Sequence, residues 1–192
     1  MQILKSEQYI SEKLTIQPVT KDMLSKMKEE PSVDEKARRF IEKSNLVWNP
    51  VTMSYDCEGD VKVSRDIVID GKLKIRFGNI GGYFDCYNNN LTTLEGAPKK
   101  VGSDFRCSSN NLTSLEGAPQ EVGGSFYCSY NNLTTLDGAP KKVGWFFYCS
   151  HNNLTTLEGA PNEVGGDFKC GDNPNFVLPE DKPSWVKGKI IS

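Results

Sequence analysis

Five copies of one 21-residue pattern occupy the middle of the chain and limit what it can fold into. Between successive copies of a Phe-x-Cys group runs the phrase NNLT[TS]L[ED]GAPxxVG. A fixed period of this length is typical of stacked units, because each unit has one apolar face that only its neighbours can cover. The sequence therefore predicts a solenoid rather than a globular core. The Phe-x-Cys groups are Phe84 and Cys86, Phe105 and Cys107, Phe126 and Cys128, Phe147 and Cys149, and Phe168 and Cys170.

Each residue type in the repeat has a predicted structural role. Phenylalanine and cysteine stand two residues apart, so they point to the same side of a short strand. Strands stacked about 4.8 Å apart would form a parallel sheet with the phenylalanines and leucines inside. The Gly-Ala-Pro group is expected to turn the chain. We expect one asparagine per repeat to bury its amide against backbone groups of the turns: Asn89, Asn110, Asn131, Asn152 and Asn173.

The wording F-x-C-x-x-N-N-L resembles the leucine-rich repeat pattern L-x-x-L-x-L-x-x-N-x-L. Phe105 takes the position of the second leucine, Cys107 the third, Asn110 the asparagine and Leu112 the last leucine, whereas Gly102 stands where the first leucine belongs. The repeat looks most like the short bacterial and viral class, and FxCxxNNLTxLEGAPxxVGG resembles repeat proteins of tailed bacteriophages. The resemblance covers about half of the chain. It implies an α+β leucine-rich-repeat solenoid in a phage accessory protein that binds a host defence or toxin enzyme and inhibits it.

Four segments are predicted from these patterns. Residues 1–46 form a helical N-terminal segment, residues 47–80 a β-rich N-terminal cap, residues 81–173 the solenoid and residues 174–192 a C-terminal cap. In the first segment, Thr20 is a candidate N-cap before Met23, Leu24 and Met27.

Two local signals define the N-terminal segments further. A helix is expected over residues 32–43, with an apolar stripe that must lie on the solenoid end or on a partner protein. In the β-rich cap, Asp70-Gly71 stands between two alternating runs and predicts a hairpin. The apolar stripe consists of Val33, Ala37, Phe40 and Ile41.

Composition narrows the functional classes. The 192 residues are 37% hydrophobic with a formal net charge of −2, which is not the composition of a membrane protein or of a nucleic-acid binder. The start, MQILKSEQYISEKL, has no apolar run that could serve as a signal peptide, so a cytoplasmic location is expected. The chain has one histidine, no phosphate-binding glycine loop and no paired carboxylates, so the sequence indicates neither an enzyme nor a cofactor.

Two columns of repeated residues invite a metal-binding interpretation. Five of the six cysteines occur once per repeat at a predicted core position, where a thiol behaves as a small hydrophobe. Cys149 and His151 do not form a nucleophile and base, because the cysteine faces inward and the histidine outward. The acidic column is interpreted as a solvated edge rather than a cation site, so no metal is expected: Glu95, Glu116, Asp137 and Glu158.

The positions that the repeat does not fix define the candidate binding surface. Residues beside Phe and Cys point out of the sheet, onto what is predicted to be its concave surface, and the third and fourth repeats place aromatic residues there with charged residues at the borders. Exposed aromatic residues bordered by charges are typical of protein-binding hot spots. In the alternative interpretation, Trp145 and Phe146 are packing spacers. The candidate residues are Tyr83, Asp85, Arg106, Tyr127, Tyr130, Trp145, Phe146, Tyr148, His151 and Lys169.

The functional hypothesis is a protein-binding module whose partner is a host protein. An alternative is a virion-associated or structural spacer that docks through the helical N-terminal segment. Nucleic-acid binding is not favoured, although tyrosines near Arg106 could stack on bases. The sequence leaves the identity of the partner and the oligomeric state open.

Overall fold

The structure, a computed structural model, describes residues 31–177 and 180–192. The one described α-helix, α1, spans Glu35–Lys43, and a short 3-10 helix spans Arg65–Ile67. The strands are β1 Val47–Asn49, β2 Ser54–Cys57, β3 Val61–Lys62, β4 Val68–Ile69, β5 Lys72–Leu73, β6 Phe77–Ile80, β7 Phe84–Asp85, β8 Lys100–Val101, β9 Phe105–Arg106, β10 Glu121–Val122, β11 Phe126–Tyr127, β12 Lys142–Val143, β13 Phe147–Tyr148, β14 Glu163–Val164, β15 Phe168–Lys169 and β16 Ile190–Ile191.

These strands form a β-solenoid of about six turns with little helix. The valine sheet has the strand order β1-β2-β6-β8-β10-β12-β14, and the phenylalanine sheet has the order β16-β15-β13-β11-β9-β7-β3. Strands in both sheets are parallel, except that β1 and β2 are antiparallel. Phe126 pairs with Phe147, and Val122 pairs with Val143, so the register follows the 21-residue period. The predicted parallel solenoid is confirmed, but each turn contributes two short strands rather than one.

Glycine at the corner between the two sheets allows the turns to stack closely. A Cβ atom at Gly123 would lie 2.2 Å from the carbonyl oxygen of Gly102, and a Cβ at Gly102 would lie 2.0 Å from that of Gly81. Both distances are far inside van der Waals contact. The position where the leucine-rich repeat pattern has its first leucine therefore admits no side chain here.

The core is a set of ladders that run along the solenoid axis. The phenylalanines from Phe84 to Phe168 stack face to face with ring centroids 5.1 to 5.6 Å apart, and their side chains are fully buried. The buried asparagines satisfy backbone groups of two turns, as expected. Asn131 accepts a hydrogen bond from the Leu112 N–H at 3.1 Å and donates to the carbonyls of Cys107 and Cys128 at 3.1 and 3.0 Å.

The N-terminal end of the solenoid is covered by α1. Asp34 caps this helix by accepting a hydrogen bond from the Ala37 N–H at 2.8 Å, so the helix begins slightly later than predicted. Ala37, Phe40 and Ile41 are buried, and the Phe40 ring packs edge-on against Phe77. The predicted helical features before residue 31, including the cap at Thr20, lie outside the described residues.

Two further segments complete the ends. Asp70 and Gly71 have φ angles of 50° and 74° and connect β4 to β5 in an antiparallel hairpin, as predicted from this dipeptide. At the other end, β16 adds to the phenylalanine sheet beside β15, and Trp185 packs edge-on against Phe168 at 5.3 Å.

Candidate functional site

The outer face of the valine sheet carries a ladder of alternating charges. The Lys100 ammonium lies 2.7 Å from the Glu121 carboxylate, and Lys142 lies 3.5 Å from Glu163. The hydrogen bond from Lys100 lowers the pKa of Glu121. These exposed charges pair with one another, so this face offers little net charge to a partner.

The outer face of the phenylalanine sheet carries a continuous stack instead. The rings of Tyr127 and Tyr148 lie 4.7 Å apart and within 5° of parallel. The Arg106 guanidinium lies 5.7 Å from the Tyr127 ring centroid and 5.2 Å from that of Tyr83, while the Lys169 ammonium lies 5.1 Å from the Tyr148 ring. In-register pairing of the strands places all of these residues except Tyr83 in one row, and cation–π attraction stabilises both ends.

The stack determines which parts of the tyrosines a partner can reach. One face of Tyr127 is covered by Arg106 and the other by Tyr148, whose second face is covered by Lys169. The ring edges and hydroxyl groups therefore remain for hydrogen bonding. Stacking of a nucleobase on these two rings, which the sequence left open, would require the stack to separate.

Two carboxylates lie at the Arg106 end of this row. Arg106 donates a hydrogen bond to Asp104 Oδ2 at 2.9 Å, and this bond raises the pKa of Arg106. Asp85 lies opposite Arg106 in the adjacent strand, and its Oδ1 accepts a hydrogen bond from the Tyr87 N–H at 2.9 Å. The two carboxylates thus have local structural partners.

Trp145 is the most exposed ring of the candidate surface, with 62% of its area accessible. It stands in the column two places before the phenylalanines, where the neighbouring turns have Gly124 and Gly166. Neither neighbour in that column has a side chain that could cover the indole. Phe146 packs edge-on against both Trp145, at 6.2 Å, and Tyr148, at 6.0 Å.

An Asp–Gly coupling between successive turns explains why tryptophan is tolerated at this place. Asp104 accepts a hydrogen bond from the Ser125 N–H, and a Cβ at Gly124 would lie 2.5 Å from Asp104 Oδ1. The same arrangement couples Asp60 to Gly82 and Asp167 to Gly188. Backbone atoms of the preceding turn lie 2.9 Å or less from the same Cβ, so the carboxylate and the backbone together require glycine in turns that follow an aspartate.

In the turn before Trp145, a smaller residue stands at the position that corresponds to Asp104. Ser125 is buried, and its Oγ accepts a hydrogen bond from the Phe146 N–H at 3.3 Å. This shorter side chain makes the same kind of contact without excluding a Cβ at position 145. Sequence reasoning missed Ser125, although the Asp–Gly coupling is visible when successive repeats are aligned.

Tyr130 and His151 form a second aromatic pair at the end of the strands. Their rings lie 4.2 Å apart, and His151 Nε2 lies 3.2 Å from Asp172 Oδ2. All three residues adopt left-handed backbone conformations with φ between 54° and 57°. Tyrosine is unusual in this conformation, which asparagine adopts at lower cost.

The structure thus places the predicted residues in two groups on the third and fourth turns. One group contains Tyr127, Trp145, Phe146 and Tyr148, with Tyr83, Asp85, Arg106 and Lys169 along its borders. The other contains Tyr130 and His151. The half-buried Ser129 and Ser150 stand between the two groups in sequence.

The cysteines are buried in the core and free of disulfide bonds. Burial raises the pKa of the Cys107 thiol well above its ordinary value, and that of Cys170 to about 11. The thiol of Cys128 donates to the Tyr148 carbonyl at 3.3 Å. Such thiols are protonated and shielded near neutral pH, so they lack the thiolate character of a nucleophile.

Within the described residues, no group of three or more His, Cys, Asp or Glu side chains is positioned to hold a metal ion. In the same part of the chain, no helix has the length and apolar content to cross a membrane. Comparisons of the chain with protein-family models, curated proteins and solved structures gave no match.

Proposed function

We propose that this protein is a non-enzymatic binding module that recognises another protein through the outer face of its phenylalanine sheet. The exposed indole of Trp145 carries the proposal, because two glycine neighbours leave it uncovered beside the packed rings of Phe146 and Tyr148. Tryptophan and tyrosine that lose their exposure on association are the residues that dominate binding energy at protein interfaces.

The contrast between the two outer faces supports the choice of surface. On the valine sheet, lysines and glutamates neutralise one another. On the phenylalanine sheet, the third and fourth turns depart from the repeat consensus at several columns together. The repeat itself needs no aromatic residue at these places, since other turns have Gly, Ser or Asp there.

The proposed relationship to leucine-rich repeats rests on the F-x-C-x-x-N-N-L wording and on the buried asparagine ladder. The second strand in each turn is a departure from the predicted single strand. The resemblance to phage repeat proteins extends the proposal to a target in the host cytoplasm. We propose a defence or toxin enzyme that is inhibited by occlusion.

Docking through the N-terminal helices, the alternative function, receives no support from α1. Its apolar residues Ala37, Phe40 and Ile41 are buried against the solenoid. Among the described residues, this helix therefore presents no exposed apolar stripe to an assembly partner.

A pull-down from host lysate tests the proposal with variants in which surface aromatic residues are replaced by the residues found at the same positions of other turns. In Trp145→Gly/Phe146→Ser, both positions receive residues that occur in the neighbouring turn, so the fold should tolerate them. Tyr87→Ser is the matched control, because it also removes an exposed ring (56% accessible) in favour of the repeat serine but lies on the first turn. We expect wild type and the control to recover the same host protein and the double variant to lose it. Retention by the double variant, at an unchanged melting temperature, would contradict the proposal.

A further inference from the structure

The size of the aromatic surface sets a limit on the kind of partner that it fits. From Trp145 to His151 the chain advances six residues, which at about 3.3 Å per residue spans at most about 20 Å. From Arg106 to Lys169 there are three steps between turns, or about 14 Å at about 4.8 Å per step. The product is about 300 Å², compared with about 800 Å² per partner in a standard interface between folded proteins.

The polar groups of the surface are arranged along its longer dimension. At one end the exposed indole of Trp145 and the Phe146 ring offer apolar contact. In the middle, covered ring faces leave the hydroxyl of Tyr148 as a hydrogen-bonding group, and the half-buried Ser150 follows. At the far end His151 is held by Asp172.

One charged group on this surface, the ammonium of Lys169, favours an acidic side chain in the partner. Arg106 is already paired with Asp104, at 2.9 Å. Lys169 lies over the Tyr148 ring, and among the described residues it forms no ion pair with a carboxylate. The ammonium group beside the tyrosine row is therefore available to a carboxylate of the partner, which it would attract and orient.

From this size and charge, we infer that the partner presents a short extended segment of about six residues, with an apolar and an acidic side chain, which lies over residues 145–151, the part of the chain that contains β13. The inference rests on the proposed function and specifies its ligand. The left-handed Tyr130 supports it. Its ring, stacked on His151, extends the surface at a conformational cost that asparagine, present at Asn88 in the same column, would lower.

Selection from a library of random linear peptides on the immobilised full-length chain tests the inference. We expect enriched sequences in which an aromatic or aliphatic residue and Asp or Glu fall within one six-residue window. A synthetic peptide of that consensus should bind Trp145→Gly/Phe146→Ser at least about tenfold more weakly. It should bind Lys169→Gln about threefold more weakly and Tyr87→Ser unchanged.

The results separate this inference from the proposed function. If the pull-down partner depends on Trp145 and Phe146 but no peptide consensus is selected, the protein-binding function stands and the extended-segment inference is wrong. A consensus peptide that binds the double variant as tightly as wild type also overturns the inference. If the partner is recovered by the double variant and no peptide is selected, both proposals fail.

Discussion

The buried asparagine ladder gives the sharpest test of what holds the turns together. Each repeat contains two adjacent asparagines in different environments: Asn131 is 7% exposed, whereas the next residue, Asn132, is exposed. Replacement of each by alanine removes the same carboxamide from neighbouring places in the sequence. Asn131→Ala should destabilise the protein strongly, and Asn132→Ala should have little effect.

The magnitude follows from the hydrogen bonds that are lost. Without the Asn131 side chain, the buried N–H of Leu112 has no acceptor, which costs about 1–3 kcal/mol. The carbonyls of Cys107 and Cys128 each lose one donor but keep a second, from Asn110 and Asn152, so each loss costs about 0.5–1.5 kcal/mol. The sum is about 2–6 kcal/mol, compared with less than about 0.5 kcal/mol for a surface substitution.

Urea denaturation, followed by circular dichroism and by tryptophan fluorescence, measures this difference. Coincident transitions from the two probes are needed before a single free energy of unfolding is assigned, because stacked repeats can unfold in parts. Free energies of unfolding within about 1 kcal/mol of each other for the two alanine variants would contradict this prediction. In that case the carboxamide bonds would contribute no more than the water that replaces them.

Two further predictions concern the surface and the core. Ser125→Asp should destabilise the protein by about 1–3 kcal/mol, because an aspartate there requires glycine at position 145. The double variant Ser125→Asp/Trp145→Gly should recover most of the lost stability, and a double-mutant cycle measures this recovery. Additive effects would disprove the Asp–Gly coupling. Stability should also fall as pH rises above about 8.5, since unfolded thiols ionise there whereas burial raises the pKa of Cys170 to about 11. Cys128→Ala should lessen this dependence in denaturation curves between pH 8 and 10, and an unchanged slope would count against it.

Much of the fold could be predicted from the sequence because the same structural pattern occurs in five copies. The Phe-x-Cys spacing indicated the phenylalanine sheet, and Asp70-Gly71 indicated the hairpin. The valine sheet was not predicted. Its repeat strands, such as Lys100–Val101 and Glu121–Val122, bury one residue each and are followed directly by glycine, so they lack the inward pair that marks the Phe-x-Cys strands.

The candidate site was predictable in its residues but not in its geometry. The excess of aromatic residues on the third and fourth turns is visible in the sequence, whereas the covering of Tyr127 and Tyr148 by their neighbours follows from in-register pairing at 4.7 Å. The exposure of Trp145 depends on glycines one turn away in each direction. Such relations join positions 21 residues apart and emerge only when the turns are superimposed.

The charge ladder on the valine sheet also limits how such a chain can change its length. Lys100, Glu121, Lys142 and Glu163 alternate from turn to turn. Duplication of one turn, or deletion of the Glu121 or Lys142 turn, would place lysine beside lysine or glutamate beside glutamate, and like charges directly opposite one another are destabilising. Gain or loss of two turns keeps every neighbour oppositely charged. The solenoid is thus built to grow and shrink in even steps.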